Sequence, residues 1–143
     1  MVIVLQFSFT EQTAIITVED FFALAEIGET FQALYSHPLH RAGMDELWDF
    51  RKATLENASN QEILNKSTML RKHIKKSSER TAFVVANDLM YGLISIWNAY
   101  ADTILRKDRR IFRSYKSAYN WLISERVNHL VNSQNDSGAV YAG

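Results

Sequence analysis

The sequence predicts an α/β fold: a single domain with a mixed, mainly parallel sheet and about four helices. Three observations carry that prediction. Apolar or alternating segments of strand length recur at residues 2–9, 13–16, 46–51, 80–86 and 109–113. Segments of helical length and period fall between most of them, the pattern of β-α units joined by right-handed crossovers. The 143 residues, 47% hydrophobic and 22% charged, suit one core that buries about two thirds of the unfolded surface. That composition also excludes an intrinsically disordered chain.

Residues 2–9 open the sheet. Val2, Val4 and Gln6 face one side and Ile3, Leu5 and Phe7 the other, apolar on both sides up to Gln6; this suits a buried strand. Glu11-Gln12 supplies a turn, and residues 13–16 form a second short strand, near enough to pair with the first as a hairpin. Thr17 with Asp20 three residues on approximates a capping box, and Glu19 and Asp20 sit where a helix dipole favours negative charge. The first helix is therefore expected to start at Thr17, to carry Phe21, Leu24, Ala25, Phe31, Leu34 and Tyr35, and to stop before Pro38. Gly28 inside it costs about 1 kcal/mol relative to alanine and marks the place for a kink.

Gly43 opens the next segment, and residues 46–51 read as a strand. Ser59-x-x-Glu62 matches a capping box, starting a helix to about Lys76 with a narrow apolar face of Ile63, Leu70 and Ile74. Residues 80–86 are a third strong strand, and Asn87-Asp88 a turn and cap into a helix over 89–105. Residues 109–113 give the last strand. Ser114 caps a final helix carrying Tyr115, Ala118, Tyr119, Trp121, Leu122 and Val127. The domain is expected over residues 1–131, with a mobile, polar and aperiodic tail over 132–143.

The formal net charge of zero conceals a polarity. Residues 1–62 hold ten acids and three bases, a balance of −7; residues 63–143 hold thirteen bases and six acids, a balance of +7. Such asymmetry marks a candidate interaction surface. With no cysteine there is no disulfide, thiolate nucleophile, Cys-ligated zinc or iron–sulfur cluster. The first residues lack a basic region and a small-residue cleavage site, and no apolar run approaches the roughly 20 residues that span a bilayer. A cytoplasmic protein is the expectation.

Several segments resemble, in order and spacing, the SpoIIAA-like group of STAS-type domains. They are Ile16-Thr17-Val18-Glu19-Asp20-Phe21, His37-Pro38, Gly43-Met44 and Leu47-Trp48-Asp49-Phe50-Arg51, followed by Ala82-Phe83-Val84-Val85, Tyr91-Gly92, Ile111-Phe112-Arg113 and Ala118…Trp121-Leu122. The resemblance covers roughly residues 3–124 and implies an α/β domain built as successive turns of a β-α superhelix. Its better-known relatives are anti-anti-sigma proteins, which bind a partner and are switched by phosphorylation; the broader group resembles Sec14-type carriers of lipophilic molecules. This chain departs from that pattern twice. Where the relatives carry an Asp-Ser-Ser/Thr-Gly turn, it reads Thr54-Leu55-Glu56-Asn57-Ala58-Ser59, so no phosphorylation site is expected. Its first helix also reads about a turn longer.

Ligands of open α/β sheets sit beyond the carboxyl ends of the parallel strands. That directs attention to Asp49 and Arg51, to Asn87 and Asp88, and to Arg113 with Tyr115. Such a rim suits a polar head group, an anion or a partner's side chains; the plainer reading, that Asp49 and Arg51 pair locally and Asn87, Asp88 and Ser114 are caps, is favoured. His37 and His40 flank Pro38, which prevents the regular helix of a metal pair, and His73 and His129 stand alone, so no metal is expected. There is no Gly-x-Ser-x-Gly elbow and no Walker or Rossmann glycine loop. No catalytic residue and no cofactor are expected. The basic stretch from Lys66 to Arg80 lacks interleaved aromatics, so a solvated helix face is favoured over nucleic acid.

The helix at 89–105 is apolar over more than the roughly 100° stripe that packs on one sheet. Its excess calls for a second neighbour: the first helix, a lipophilic ligand or another subunit. The function expected is thus a non-enzymatic STAS-like regulatory or protein-interaction module, binding a protein partner or itself. The alternative is a carrier or sensor holding a small lipophilic molecule between Phe21, Phe22, Phe31, Met90, Trp97 and the sheet.

Overall fold

Five strands lie side by side in the order in which the chain makes them, β1 (Val2–Ser8), β2 (Thr13–Phe22), β3 (Asp45–Leu55), β4 (Arg80–Val84) and β5 (Asp108–Phe112). The structure, a computed structural model, describes residues 1–56, 61–62, 65, 80–105 and 108–127; for Trp97 and residues 100–105 it describes the backbone alone. β1 and β2 form an antiparallel hairpin, and β2 through β5 run parallel. The expected mixed, mainly parallel sheet is present.

Three helices are described over most of their length: α1 (Leu24–Ser36), α2 (Asp88–Leu105) and α3 (residues 115–127). The expected helix from Ser59 to Lys76 lies largely outside the described residues, of which Gln61, Glu62 and Asn65 are helical; the tail over 132–143 lies wholly outside them. Side chains alternate about the sheet. One face gathers Ile16, Val18, Trp48, Phe50 and Phe83 with Phe31 and Leu34 of α1 and Met90 and Ile94 of α2. The other gathers Leu47, Ala82 and Val84 under Ala118 and Leu122 of α3.

Two expectations are overturned. β1, expected to be a buried strand, is the edge of the described sheet, with Val2 and Val4 exposed. Residues 17–22 are not the start of the first helix: β2 continues for ten residues to Phe22, and α1 begins at Leu24. The apparent extra turn of helix is the end of a strand. Ala14, Ile16 and Val18 alternate without interruption and are fully buried, and β2 pairs with β1 as far as Glu19 and with β3 all the way to Phe22. That pairing outweighs the cap-like letters at Thr17 and Asp20. The cap is instead Glu26, whose Oε1 accepts the Ala23 backbone N–H at 2.8 Å. α1 ends before Pro38, as expected, and is one element through Gly28, with no break there.

The chain-order sheet also turns the charge pattern of the sequence into geometry. The segment with balance −7 contains β1, β2, α1 and β3, and the one with +7 contains β4, α2, β5 and α3. The described strands of the acidic segment therefore lie toward the β1 edge of the sheet, and those of the basic segment toward the β5 edge.

Candidate functional site

Thr17, Asp49, Val84 and Phe112 align in one row across β2 to β5. Beyond that row lies the carboxyl end of the parallel strands, where Phe21, Arg51, Asn87, Asp88 and Arg113 emerge. Its shape starts from an irregularity. Between the pairs Thr17↔Asp49 and Glu19↔Lys52, β3 supplies two residues, Phe50 and Arg51, against Val18 alone. A bulge of this kind bends the strand and re-aims a side chain. Asp49, itself buried, accepts the Arg51 backbone N–H at 3.1 Å. The same carboxylate takes the guanidinium through two contacts, Nε to Oδ1 at 2.9 Å and Nη2 to Oδ2 at 2.8 Å. So held, the guanidinium lies over the Tyr115 ring, 5.1 Å from its centroid. The hydrogen bonds Arg51 donates to Asp49 raise its pKa further, and burial raises that of Tyr115, so both keep their protons at neutral pH.

Two strands away the arrangement recurs with different residues. Arg113, just past β5, donates to Asp88 at 2.6 Å and lies over the Tyr91 ring at 5.1 Å. Asn87 Oδ1 accepts the Met90 N–H at 2.9 Å and Ser114 Oγ the Ser117 N–H at 3.3 Å, so both side chains cap the helices they precede. The rim thus presents two arginines, each oriented by an aspartate and backed by a tyrosine, with half of each arginine side chain exposed.

Apolar side chains stand at the same end. Phe21 is 66% exposed, Leu89 67% and Tyr91 43%. Phe21 follows Asp20, whose φ of 65° is left-handed and unusual for a non-glycine residue. Leu89, Gly92 and Ile96 share an exposed face of α2, which accounts for part of the apolar excess of that helix.

The residues expected to hold a lipophilic ligand are placed differently. Phe22, Phe31 and Met90 are 3% exposed or less and packed within the core; Phe22 meets Phe50 at 5.9 Å between centroids, and Phe31 meets Trp48 at 4.8 Å and Tyr35 at 5.8 Å. The Trp97 side chain lies outside what is described. Phe21 points to solvent instead of joining them. A shallow, open cleft of about 490 Å³ lies elsewhere, between β1–β2 and α3, lined by Gln6, Phe7, Ser8, Glu11, Ile15, Tyr115 and Tyr119. There Tyr119 donates to Glu11, which pushes the Tyr119 pKa up to about 12. No cluster of metal-ligating type occurs among the described residues.

Sequence reasoning missed this cleft, the exposure of Phe21 and the pairing of Tyr91 with Arg113. Tyr115 and Tyr119, four apart on one helix, are the signal that points to the cleft. The Tyr91–Arg113 contact spans elements and leaves no such signal.

No protein-family profile matches this sequence, and no curated protein does. Among solved structures, the chain is similar to the crystal structure of an uncharacterised protein of the DUF3478 family with a SpoIIAA-like fold, from Shewanella loihica PV-4. The similarity has a TM-score of 0.54 at 14% identity and covers 85% of this chain and 92% of that one. At that identity the likeness concerns the fold, and the fold of this chain is SpoIIAA-like.

Proposed function

We propose that the protein is a non-enzymatic interaction module whose docking surface is the carboxyl-end rim. The observation that carries this reading is the pair of aspartate-held, tyrosine-backed arginines beside exposed Phe21, Leu89 and Tyr91. Arginine and aromatic residues dominate the binding energy of protein interfaces. Side chains already oriented lose less freedom on binding. Each guanidinium is opposed by a carboxylate of its own, so the two arginines leave little uncompensated positive charge. It therefore favours a mixed polar and apolar protein surface over a free anion. The core placement of Phe22, Phe31 and Met90 supports the module over a lipophilic carrier, because their neighbours are the chain's own side chains.

Native mass spectrometry of freshly isolated protein tests this choice. The expected masses are those of the chain, its multiples or a protein complex. A stoichiometric small-molecule adduct that is lost on denaturation contradicts the proposal.

A further inference from the structure

The sheet has two edges, and the chain treats them differently. β5 is five residues long and carries Asp108, Arg109 and Arg110. Charge and shortness are ordinary ways to keep an edge from pairing with another chain. β1 carries none of these devices. Its seven residues, Val-Ile-Val-Leu-Gln-Phe-Ser, hold no charge, no proline and no glycine, and they pair with β2 from Val2↔Glu19 to Ser8↔Thr13 without a register shift. Among the described residues nothing pairs with its outer side. Val2 and Val4 are each more than 40% exposed.

We infer that β1 is a self-association site: two copies of this chain pair β1 with β1 antiparallel about a two-fold axis at Leu5, making one continuous sheet. The occupant follows from the sequence of the edge. When a strand meets its own copy, any charge faces a like charge nearby, and Val2–Ser8 has none. With the axis at Leu5, the middle of the strand, Ile3 falls opposite the second copy's Phe7 and Leu5 opposite its own counterpart. All the cross-strand pairs on that face are then apolar, the kind that stabilises a sheet. On the other face Val4 falls opposite Gln6 and Val2 opposite Ser8. A two-fold pairing of this kind closes on itself, whereas pairing β1 of one copy with β5 of the next gives a head-to-tail contact that does not close by symmetry.

The charge polarity of the chain then sets the sign of the salt response. The two acidic halves meet, but their nearest strand-borne charges, such as Glu19 beside Val2, stand on β2. Three strand spacings of about 4.8 Å separate β2 from its counterpart, roughly 14 Å, longer than the screening length of about 8 Å at physiological salt. Added salt therefore leaves the dimer unchanged or tightens it. The inference is independent of the rim reading, and in such a dimer the two rims point in opposite directions.

Sedimentation of the whole chain over a range of concentrations and salt is the test. A mass that doubles with concentration and does not fall with salt is expected. Val4→Lys with Gln6→Lys, and separately Val4→Glu with Gln6→Glu, each place like charges opposite one another and should give monomers. An equal mixture of the two variants should recover the doubled mass, which shows that both fold. A wild-type monomer at all concentrations overturns the inference, as do a dimer that dissociates in salt and variants that stay dimeric. If the variants do not fold, amide exchange on the wild type decides: it must slow across Val2–Ser8 as concentration rises, and a rate independent of concentration overturns the proposal.

Discussion

The two ends of the sheet use the same pairing, aspartate against arginine, to different effect. At the amino end, Asp45 is fully buried. Its carboxylate accepts the Arg80 backbone N–H at 3.1 Å, lies 3.8 Å from the Arg80 guanidinium and 3.3 Å from that of Arg126. Arg126 in turn reaches the carbonyls of Gln12 and Gly43 at 3.4 Å, so one carboxylate ties β3, β4, α3 and the hairpin turn together. On the opposite face of β3, buried Glu46 accepts from Trp48 Nε1 at 2.9 Å and from the Tyr35 hydroxyl at 3.1 Å. At the carboxyl end the Asp88–Arg113 pair is exposed and bridges only α2 and the residue after β5. Buried polar groups are costly to leave unpaired, whereas exposed ion pairs contribute little to stability. The amino end is therefore built to hold the fold, whereas the exposed Asp88–Arg113 pair at the carboxyl end adds little to it.

The contrast breaks most visibly at Asp45. Replacing it with alanine leaves Arg80 and Arg126 without their shared carboxylate and is expected to cost about 3 to 5 kcal/mol. Denaturant titration measures that loss; a cost below about 1 kcal/mol, the size expected of an exposed pair, removes the distinction between the two ends. Tyr35→Phe deletes one hydrogen bond to a buried carboxylate and should cost about 1.5 to 3 kcal/mol in the same titration. Asp88→Ala or Arg113→Ala, by contrast, should change stability by less than about 1 kcal/mol while weakening any partner that docks on the rim.

The smallest effect is a pH dependence at the amino end. Burial lowers the pKa of His40, which meets the Tyr35 ring edge-on at 5.2 Å. As pH falls, the unfolded chain takes up the proton before the folded one does. His40 thus contributes stability that is complete above about pH 6.5 and declines as pH drops below it, until the folded imidazole is also protonated. Thermal melts of wild type and His40→Asn across that range should converge on the acid side. Parallel curves at every pH contradict the assignment.

The difference between the ends also explains what was legible in the sequence. The carboxyl-end residues Asp49, Arg51, Asn87 and Asp88 follow from strand endings and caps, which are local. The Asp45 centre joins residues 35 and 81 positions apart, and no periodicity or spacing signals it. The β2 error has a similar origin. Thr17 and Asp20 match a helix start locally, and what keeps residues 17–22 in a strand is pairing with a partner about thirty residues on, joined as far as Glu19 by β1. The charge polarity was visible from composition, and its meaning waited on the sheet order.

Site-specific photo-crosslinking in cells tests the central claim most directly. A photoreactive residue at Phe21 or Leu89 reports on the carboxyl end, and one at Asn120 or Ser124, exposed on α3, reports on a surface with no proposed partner. A discrete crosslinked protein is expected from the two rim positions only, and Arg113→Ala should abolish it without lowering Tm. The same product from all four positions, or none from the rim, contradicts the account.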